Sequence, residues 1–552
     1  MTEEAAQNSN NNQKQRLVHW ADTTANRIIK QKGDKQLYTL ASGITPSGVV
    51  HFGNFREVIT VDFVARALRS LGKDVRFIFS WDDYDTFRKV PKNLPKQDEL
   101  TKYLYRPIVD TPDPHEEAPS YAQYHEQKFE SQLEKVGVEV EPIYQSKKYR
   151  AGDYSSEIIK ALDAKEDIAQ ILNQYRSTPL DQDKWWPVSV YCEKCQTDHK
   201  TNITSRESSD KISYQCDNCG HSSVLSIKET SHLKLPWRID WPMRWAYEKV
   251  DFEPGGKDHS SQGGSFSTAK DIVKIYDWEA PVYLQYDFVS IKGMGGKMSS
   301  SSGNLVTVND VLEIYTPEMV RWIFASYKSN VDFAVSFDLD VIKTFEDFDR
   351  QERVAYGVDQ ANDKKRLLAQ RVMELSSVDQ TQELTFTPEH LPFRPSFRHL
   401  TNILQIFSGD IAKALEVYKA QSPESFSGAK AKLNEEKFVQ RAQCALNWLE
   451  KFAPEDFKFS LSERKIQAEE LGLNDNQTNF VQKLSIVLKN EWEEYKTDSE
   501  LNDKIYEVMH SCELKPLEAF PPLYKMLIGK EKGPKLAGFI RTIGKEKVNE
   551  LI

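Results

Sequence analysis

The sequence predicts an α/β core on a parallel sheet, interrupted by a cysteine-bearing insert and followed by an all-helical second half. Three observations lead there. A strand, a helix and a second strand follow one another over about 45 residues near the start, the length of a βαβ unit. Two CxxC pairs lie in a polar, turn-rich stretch between two α/β segments. From about 304 onward the apolar positions recur almost only at helical spacing. The composition is that of a folded chain: 39% hydrophobic, 28% charged, 24 Gly and 24 Pro exclude collagen-like and disordered classes. The 552 residues exceed one core, and at about 150 residues per domain they leave room for roughly three or four. No apolar run approaches the ~18 residues that a bilayer-spanning helix needs, so no membrane partner is expected. With a net charge of −10, a polyanion would have to be met by local basic patches rather than by bulk charge.

Taken in order, residues 1–16 are acidic and then Asn/Gln-rich and read as a disordered tail. They lack the apolar stretch of a signal peptide and the Arg/Ser bias of a transit peptide, so a cytoplasmic location is expected. The first half of the core spans 17–91. Within it HWADTTANRIIKQKG, 19–33, has the pattern of an amphipathic helix closed by glycine, and LYTLASG that of a buried strand. GITPSGVVHFGN is the loop into a helix whose Val58, Ile59, Val61, Val64, Leu68 and Leu71 recur at helical spacing before Gly72. VRFIFS, 75–80, is the second strand. Ligands of such a unit collect at the carboxyl ends of the strands, where both the HFGN turn and WDDYD fall. From 92 to 234, polar helices such as SYAQYHEQKFESQLEKVG give way to the cysteine-bearing stretch, and the whole reads as an insertion. The second half of the core, 235–303, contains WRIDWPMRW, AYEKVDFEPGGKDHSS and APVYLQYDFVSIKG and ends in GMGGKMSSSSG. Residues 304–552 read as helices.

Two loops and one cysteine pattern carry chemistry. SGVVHFGN, 47–54, hands a strand over to a helix, a geometry that offers backbone N–H groups and the helix's positive end to a phosphate. Gly53 permits close approach of a base or backbone, while His51 and Asn54 supply donors for charge developing on a phosphoryl oxygen. The bland alternative is a helix-capping histidine beside a glycine turn. GGKMSSSSG, 295–303, joins one ammonium to hydroxyls and backbone donors and can close on a di- or triphosphate; alone it reads equally as a Ser/Gly linker. Cys192 and Cys195, then Cys216 and Cys219 after twenty intervening residues, have zinc-ribbon spacing, and four thiolates close a tetrahedral structural zinc site. Cys444 and Cys512 read as inert core thiols.

An HxGN turn in the first βαβ unit and a KMSSS loop at the end of the second α/β segment together form the arrangement of class I aminoacyl-tRNA synthetases. Over nearly the whole chain after the tail, the sequence resembles class I lysyl-tRNA synthetase. The resemblance includes GGKDH and GKEKGPKLAGFI, and DDYDTFRKVP and PWRIDWPMRW carry it beyond the wider class. It implies a Rossmann-type catalytic core, an inserted zinc-ribbon-bearing connective domain that meets the tRNA acceptor stem, and an all-α anticodon-binding module. The reactants it implies are ATP with Mg²⁺, L-lysine and tRNA(Lys), passing through lysyl-adenylate, with a structural Zn²⁺; no obligate protein partner is evident. For catalysis it implies His51, Asn54 and Lys297. The implied ATP site comprises Pro46, Gly48, His51, Gly53, Asn54, Gly256, Asp258, Lys297, Met298, Ser299, Ser300 and Ser301. The implied lysine pocket comprises Gly43, Thr45, Trp237, His259 and Tyr286, with Asp83 or Asp240 as counter-charge to the ε-ammonium. Asn54 stands where the HIGH signature has its second histidine, and Ser300 where KMSKS has its second lysine.

In the helical half, Trp322, Phe324, Trp448, Phe452, Trp492 and Tyr495 include candidates to stack on unpaired anticodon bases, although most are expected to be core residues. Two competing readings remain: a class I synthetase for another amino acid, and a paralogue that binds tRNA without aminoacylation.

Overall fold

The computed structural model describes residues 18–92, 94–260, 263–292 and 305–552, which fall into two compact units. One comprises residues up to 312, 317–336 and 351–389; the other comprises 313–316, 337–350 and 390–552.

In the first unit, helix α1 (Trp20–Lys32) is capped by His19, whose Nδ1 accepts the Ala21 N–H, and it ends at Gly33 with a φ of 81°, a conformation that favours glycine. Strand β1 (Leu37–Ile44), helix α2 (Phe52–Ser70) and strand β2 (Asp74–Trp81) come next. β1 and β2 are parallel, in register from Leu37 opposite Asp74 to Ile44 opposite Trp81. Most of β1 and nearly every face of α2 are buried, which is why both read as continuous apolar runs. Helix α3 (Tyr121–Lys135) leads to strand β3 (Glu141–Tyr144), which pairs parallel with β2. The stretch from 92 therefore begins by completing the core sheet; a four-residue strand reading EPIY has too little apolar pattern to announce itself. Beyond it, β4 (Ser189–Val190) pairs antiparallel with the later β8 (Leu233–Lys234). Between these, β5 (Thr201–Ser208), β6 (Lys211–Cys216) and β7 (Ser222–Ser226) form a three-stranded antiparallel sheet.

WRIDWPMRW is helical, α4 (Trp237–Tyr247), and precedes β9 (Val250–Gly256) and β10 (Val282–Tyr286). The main sheet has the order β10-β9-β1-β2-β3 with every pair parallel. The chain builds from β1 outward through β2 and β3, then crosses to the opposite side for β9 and β10. The order thus reverses at β1, and a crevice opens there at the carboxyl ends of the strands. A two-stranded parallel pair, β11 (Val289–Ile291) and β12 (Phe333–Val335), brackets helices α5 (Val308–Leu312) and α6 (Pro317–Ser326), which are separated by a turn before Pro317 opens the second.

The first unit does not end at 304. Arg321 of α6 is fully buried and donates to Asp62 of α2 at 2.5 Å, to the Val136 carbonyl at 2.9 Å and to the Leu375 carbonyl at 2.9 Å. This clamp ties α6 and α7 (Asp363–Ser376) to the sheet-bearing unit, although their sequences are as helical as that of the second unit. The second unit is built of helices. One of its cores gathers Phe480, Leu484, Ile505, Met509, Leu523 and Leu527 from α8 (Asp475–Asn490), α9 (Asp498–Ser511) and α10 (Pro516–Ile528). Trp448 and Cys444 are buried in this unit, as core residues should be. No helix among the described residues is long and apolar enough to cross a membrane.

Candidate active site

The crevice at the sheet's switch point holds a cavity of about 420 Å³. Most of its lining comes from strand ends and the helix that leaves β1. Gly43 and Thr45 come from the end of β1, Asp82 from the end of β2, Asp258 and His259 from the turn after β9, Tyr286 from the end of β10, and His51, Gly53, Asn54 and Glu57 from the first turns of α2. Glycine is required at Gly43: a Cβ there would lie 2.8 Å from the Ser80 carbonyl oxygen on the neighbouring strand.

His51 is the N-cap of α2. Its Nδ1 accepts the Gly53 N–H at 3.1 Å, while its own N–H donates to the Asn54 Oδ1 at 3.1 Å, a reciprocal capping box. The capping role is thus real, and it coexists with a place on the cavity wall. An Nδ1 that accepts puts the proton of a neutral ring on Nε2. The Phe52 N–H donates to the Val306 carbonyl at 2.7 Å, and the Lys292 N–H to the Val335 carbonyl at 2.9 Å. The two flanks of the 293–304 segment are therefore anchored, one of them next to His51. Lys297, Met298, Ser299, Ser300 and Ser301 lie outside the described residues.

Glu57 is the feature that sequence reasoning missed. It accepts the Tyr286 hydroxyl at 2.6 Å and the Gly43 N–H at 3.1 Å. Burial pushes its carboxyl up to about 8, against the Tyr286 hydrogen bond, and the nearby Glu253 adds to the rise. No ammonium or guanidinium pairs with it among the described residues. The available signal was a glutamate three residues after Asn54, breaking the apolar surface of an otherwise buried helix.

The two acids expected to meet the ε-ammonium do not line the cavity. Asp83 is turned to the start of the helix after β3, accepting the Ser146 N–H at 2.7 Å and the Ser146 hydroxyl. Asp240, wholly buried in α4, accepts the Tyr149 hydroxyl and lies 3.2 Å from the Arg244 Nε. Asp83 is satisfied by Ser146, and Asp240 is held by Tyr149 and by its ion pairs with Arg244 and Lys234. Of the remaining expected residues, Gly43, Thr45, His51, Gly53, Asn54, Trp237, Asp258, His259 and Tyr286 share the one cavity. Pro46 and Gly48 belong to the adjoining loop without lining it. Gly256 lies just behind Asp258, where a Cβ would come within 2.6 Å of the Asp258 carboxylate. Trp237 is stacked on Trp241 at 5.2 Å between centroids, and the Trp241 Nε1 in turn donates to Glu253 at 3.0 Å, which fixes the aromatic wall.

In the insert, the four sulfurs of Cys192, Cys195, Cys216 and Cys219 lie within 4.8 Å of one another, with Cys192 and Cys219 at 3.6 Å and Cys195 and Cys216 at 3.6 Å. A tetrahedral zinc with Zn–S bonds of ~2.3 Å requires sulfurs about 3.8 Å apart, so the donor set fits that ion.

A parallel sheet with a capped helix N-terminus and donors at its switch point is the arrangement at which α/β folds commonly bind nucleotides. Residues 18–379 match the family described as tRNA synthetases class I (K), and the chain belongs to that family. It is 47% identical over 537 residues to the lysine--tRNA ligase of Borreliella burgdorferi, covering 97% of this chain and 99% of that one. The lysine--tRNA ligase of Treponema pallidum is 44% identical, covering 98% and 99%. That of Pyrococcus horikoshii is 38% identical, covering 96% and 98%.

Proposed function

We propose that this protein attaches lysine to tRNA(Lys) at the expense of ATP, through lysyl-adenylate. The observation that carries the lysine specificity is Glu57: a carboxylate without a cationic partner among the described residues, held by Tyr286 and Gly43 in a cavity of amino-acid size. Its high carboxyl pKa measures the cost of leaving it unpaired, and the substrate's ε-ammonium removes that cost. Trp237 and Tyr286 supply the apolar and aromatic walls for the four-carbon stem. ATP with its Mg²⁺ would lie against the first turn of α2, with Gly53 under the base, Asp258 toward the ribose, and His51 and Asn54 toward the α-phosphate. Lys297 and the serines after it would hold the pyrophosphate. Catalysis of this kind is positioning and electrostatic stabilisation: attack of the lysine carboxylate on the α-phosphorus expels pyrophosphate, and donors aimed at the developing charge lower the barrier.

The four cysteines would hold a structural zinc, closing a connective domain that meets the acceptor end of the tRNA. In the second unit, a cavity of about 460 Å³ has Arg398, Lys530, Lys532 and Lys535 among its walls, together with Phe459 and Phe539, whose rings meet edge to face at 5.4 Å. Cations and aromatics in one cavity suit an unpaired base and its phosphates, which supports the anticodon reading of this unit. Of the aromatics first considered for that role, Trp322, Phe324 and Trp448 are buried, Trp492 and Tyr495 are half-buried and Phe452 is exposed.

The deciding experiment is ATP–pyrophosphate exchange with each amino acid in turn, with and without bulk tRNA. Exchange with lysine alone is expected. Exchange with another amino acid would keep the class and move the pocket, and no exchange with any would favour a tRNA-binding paralogue.

A further inference from the structure

Behind the lysine pocket lies a second cavity of about 530 Å³. Thr45, Asp85 and Trp237 line both, so Asp85 stands in the wall between them; Lys234 lines only the second. Lys234 is 6% exposed, and its Nζ lies 2.6 Å from the Asp85 Oδ1 and 3.9 Å from the Asp240 Oδ2. The other oxygen of Asp85 accepts the Thr45 hydroxyl at 3.2 Å. Arg244 completes the cluster, 2.7 Å from Asp82 and 3.2 Å from Asp240. Three carboxylates thus share two internal cations, and every one of these five groups has a partner.

This balance matters because the proposed substrate is itself a cation. A carboxylate facing the lysine pocket without a partner would be a second docking point for either substrate ammonium, and an unbalanced buried charge would pull its neighbours out of place. Lys234 prevents both. Although its ammonium loses hydration by burial, Asp85, Asp240 and Asp82 hold it in the charged form. It therefore keeps Asp85 occupied and aimed at Thr45. Glu57 is left as the carboxylate that awaits a cation.

We infer that Lys234 is a positioning residue for lysine selection, acting through the Lys234–Asp85–Thr45 chain without touching the substrate. The inference rests on the lysine-pocket reading above. The test is a cycle of Lys234→Met, Asp85→Asn and the double variant, read by lysine-dependent ATP–pyrophosphate exchange in the presence of bulk tRNA, with the ATP KM as internal control. Lys234→Met leaves Asp85 uncompensated and is expected to raise the lysine KM by roughly thirtyfold or more, with the ATP KM within about twofold of wild type. In the double variant a neutral asparagine still accepts from Thr45 and needs no ammonium. Its lysine KM is expected to return to within about fivefold of wild type.

A double variant no better than folded Lys234→Met would show that Lys234 serves only the fold. A folded Lys234→Met with an unchanged lysine KM would also overturn the inference. Should Lys234→Met not fold, the double variant decides alone: a lysine KM far above wild type would reject the chain of contacts. A wild-type protein inert toward lysine would sink both this inference and the lysine reading, whereas an active wild type with silent variants would sink only the role of Lys234.

Discussion

The sheet edge and the cysteine insert bury charge in opposite ways. At the sheet edge, Asp82, Asp85 and Asp240 are paired from within the chain, with Lys234 and Arg244. The insert gathers four thiols that, on the zinc reading, are completed by a metal from outside. Glu57 obeys the second rule inside a region built on the first: no cation among the described residues pairs with it, and on the proposed reading the substrate brings one. The comparison teaches that a buried charge left open marks a ligand when its neighbours are all closed.

The contrast is sharpest where it can be broken. Replacing one member of the thiolate set should have the largest effect, because binding and folding of such a site are one equilibrium worth ~10 kcal/mol or more. Cys192→Ser is expected to release the metal, from about one zinc per chain to none, as read by elemental analysis of protein purified without chelator. Zinc retained at full stoichiometry would reject the four-thiolate site. Next comes the internally balanced cluster. Arg244→Met strands Asp82 and Asp240 and should destabilise the protein by about 3–5 kcal/mol in denaturant unfolding. A loss under about 1 kcal/mol would mean that the cluster is hydrated and its pairing immaterial.

His51 is not a member of this charged cluster, so on the proposed site assignment its removal should separate activity from stability. His51→Ala and Lys297→Ala are each expected to slow adenylate formation by at least ~10²-fold while the fold persists. For His51→Ala a loss of about 1 kcal/mol from the missing cap comes in addition. Unchanged exchange rates in both would dismantle the site assignment.

The smallest effect, and the most diagnostic, belongs to Glu57. Lysine should pair with the ionised carboxyl, so the lysine KM is expected to rise as pH falls below about 8, by up to ~tenfold per unit. Glu57→Gln should abolish that dependence. The sign for stability is the reverse of the usual carboxylate case. A folded-state pKa raised to about 8 contributes stability that is complete below the unfolded value and is lost as pH rises through about 8. Glu57→Gln should therefore gain stability relative to wild type above pH 8 and not at pH 4. A lysine KM that is flat from pH 6 to 8.5 in the wild type would remove Glu57 from the pocket.

Much of this was legible before any coordinates. Buried parallel strands read as apolar runs, a glycine-rich turn between strand and helix has few alternatives, and paired CxxC spacing is local chemistry; β1, α2, β2, the HFGN turn and the four cysteines were therefore visible in the order of the residues. What escaped depends on distant neighbours. β3 is a strand because β2 offers it a free edge, and α6 belongs with the sheet because Arg321 finds Asp62, 259 positions away in sequence. Asp83 and Asp240 looked able to meet an ammonium, and Glu57 went unnoticed in its helix. Only the tertiary structure gave the first two to Ser146 and Tyr149 and left the third facing a cavity. Residue type and spacing determine which groups are present and which short elements they form. Whether a carboxylate is closed or open depends on what the fold packs against it, and no local pattern records that.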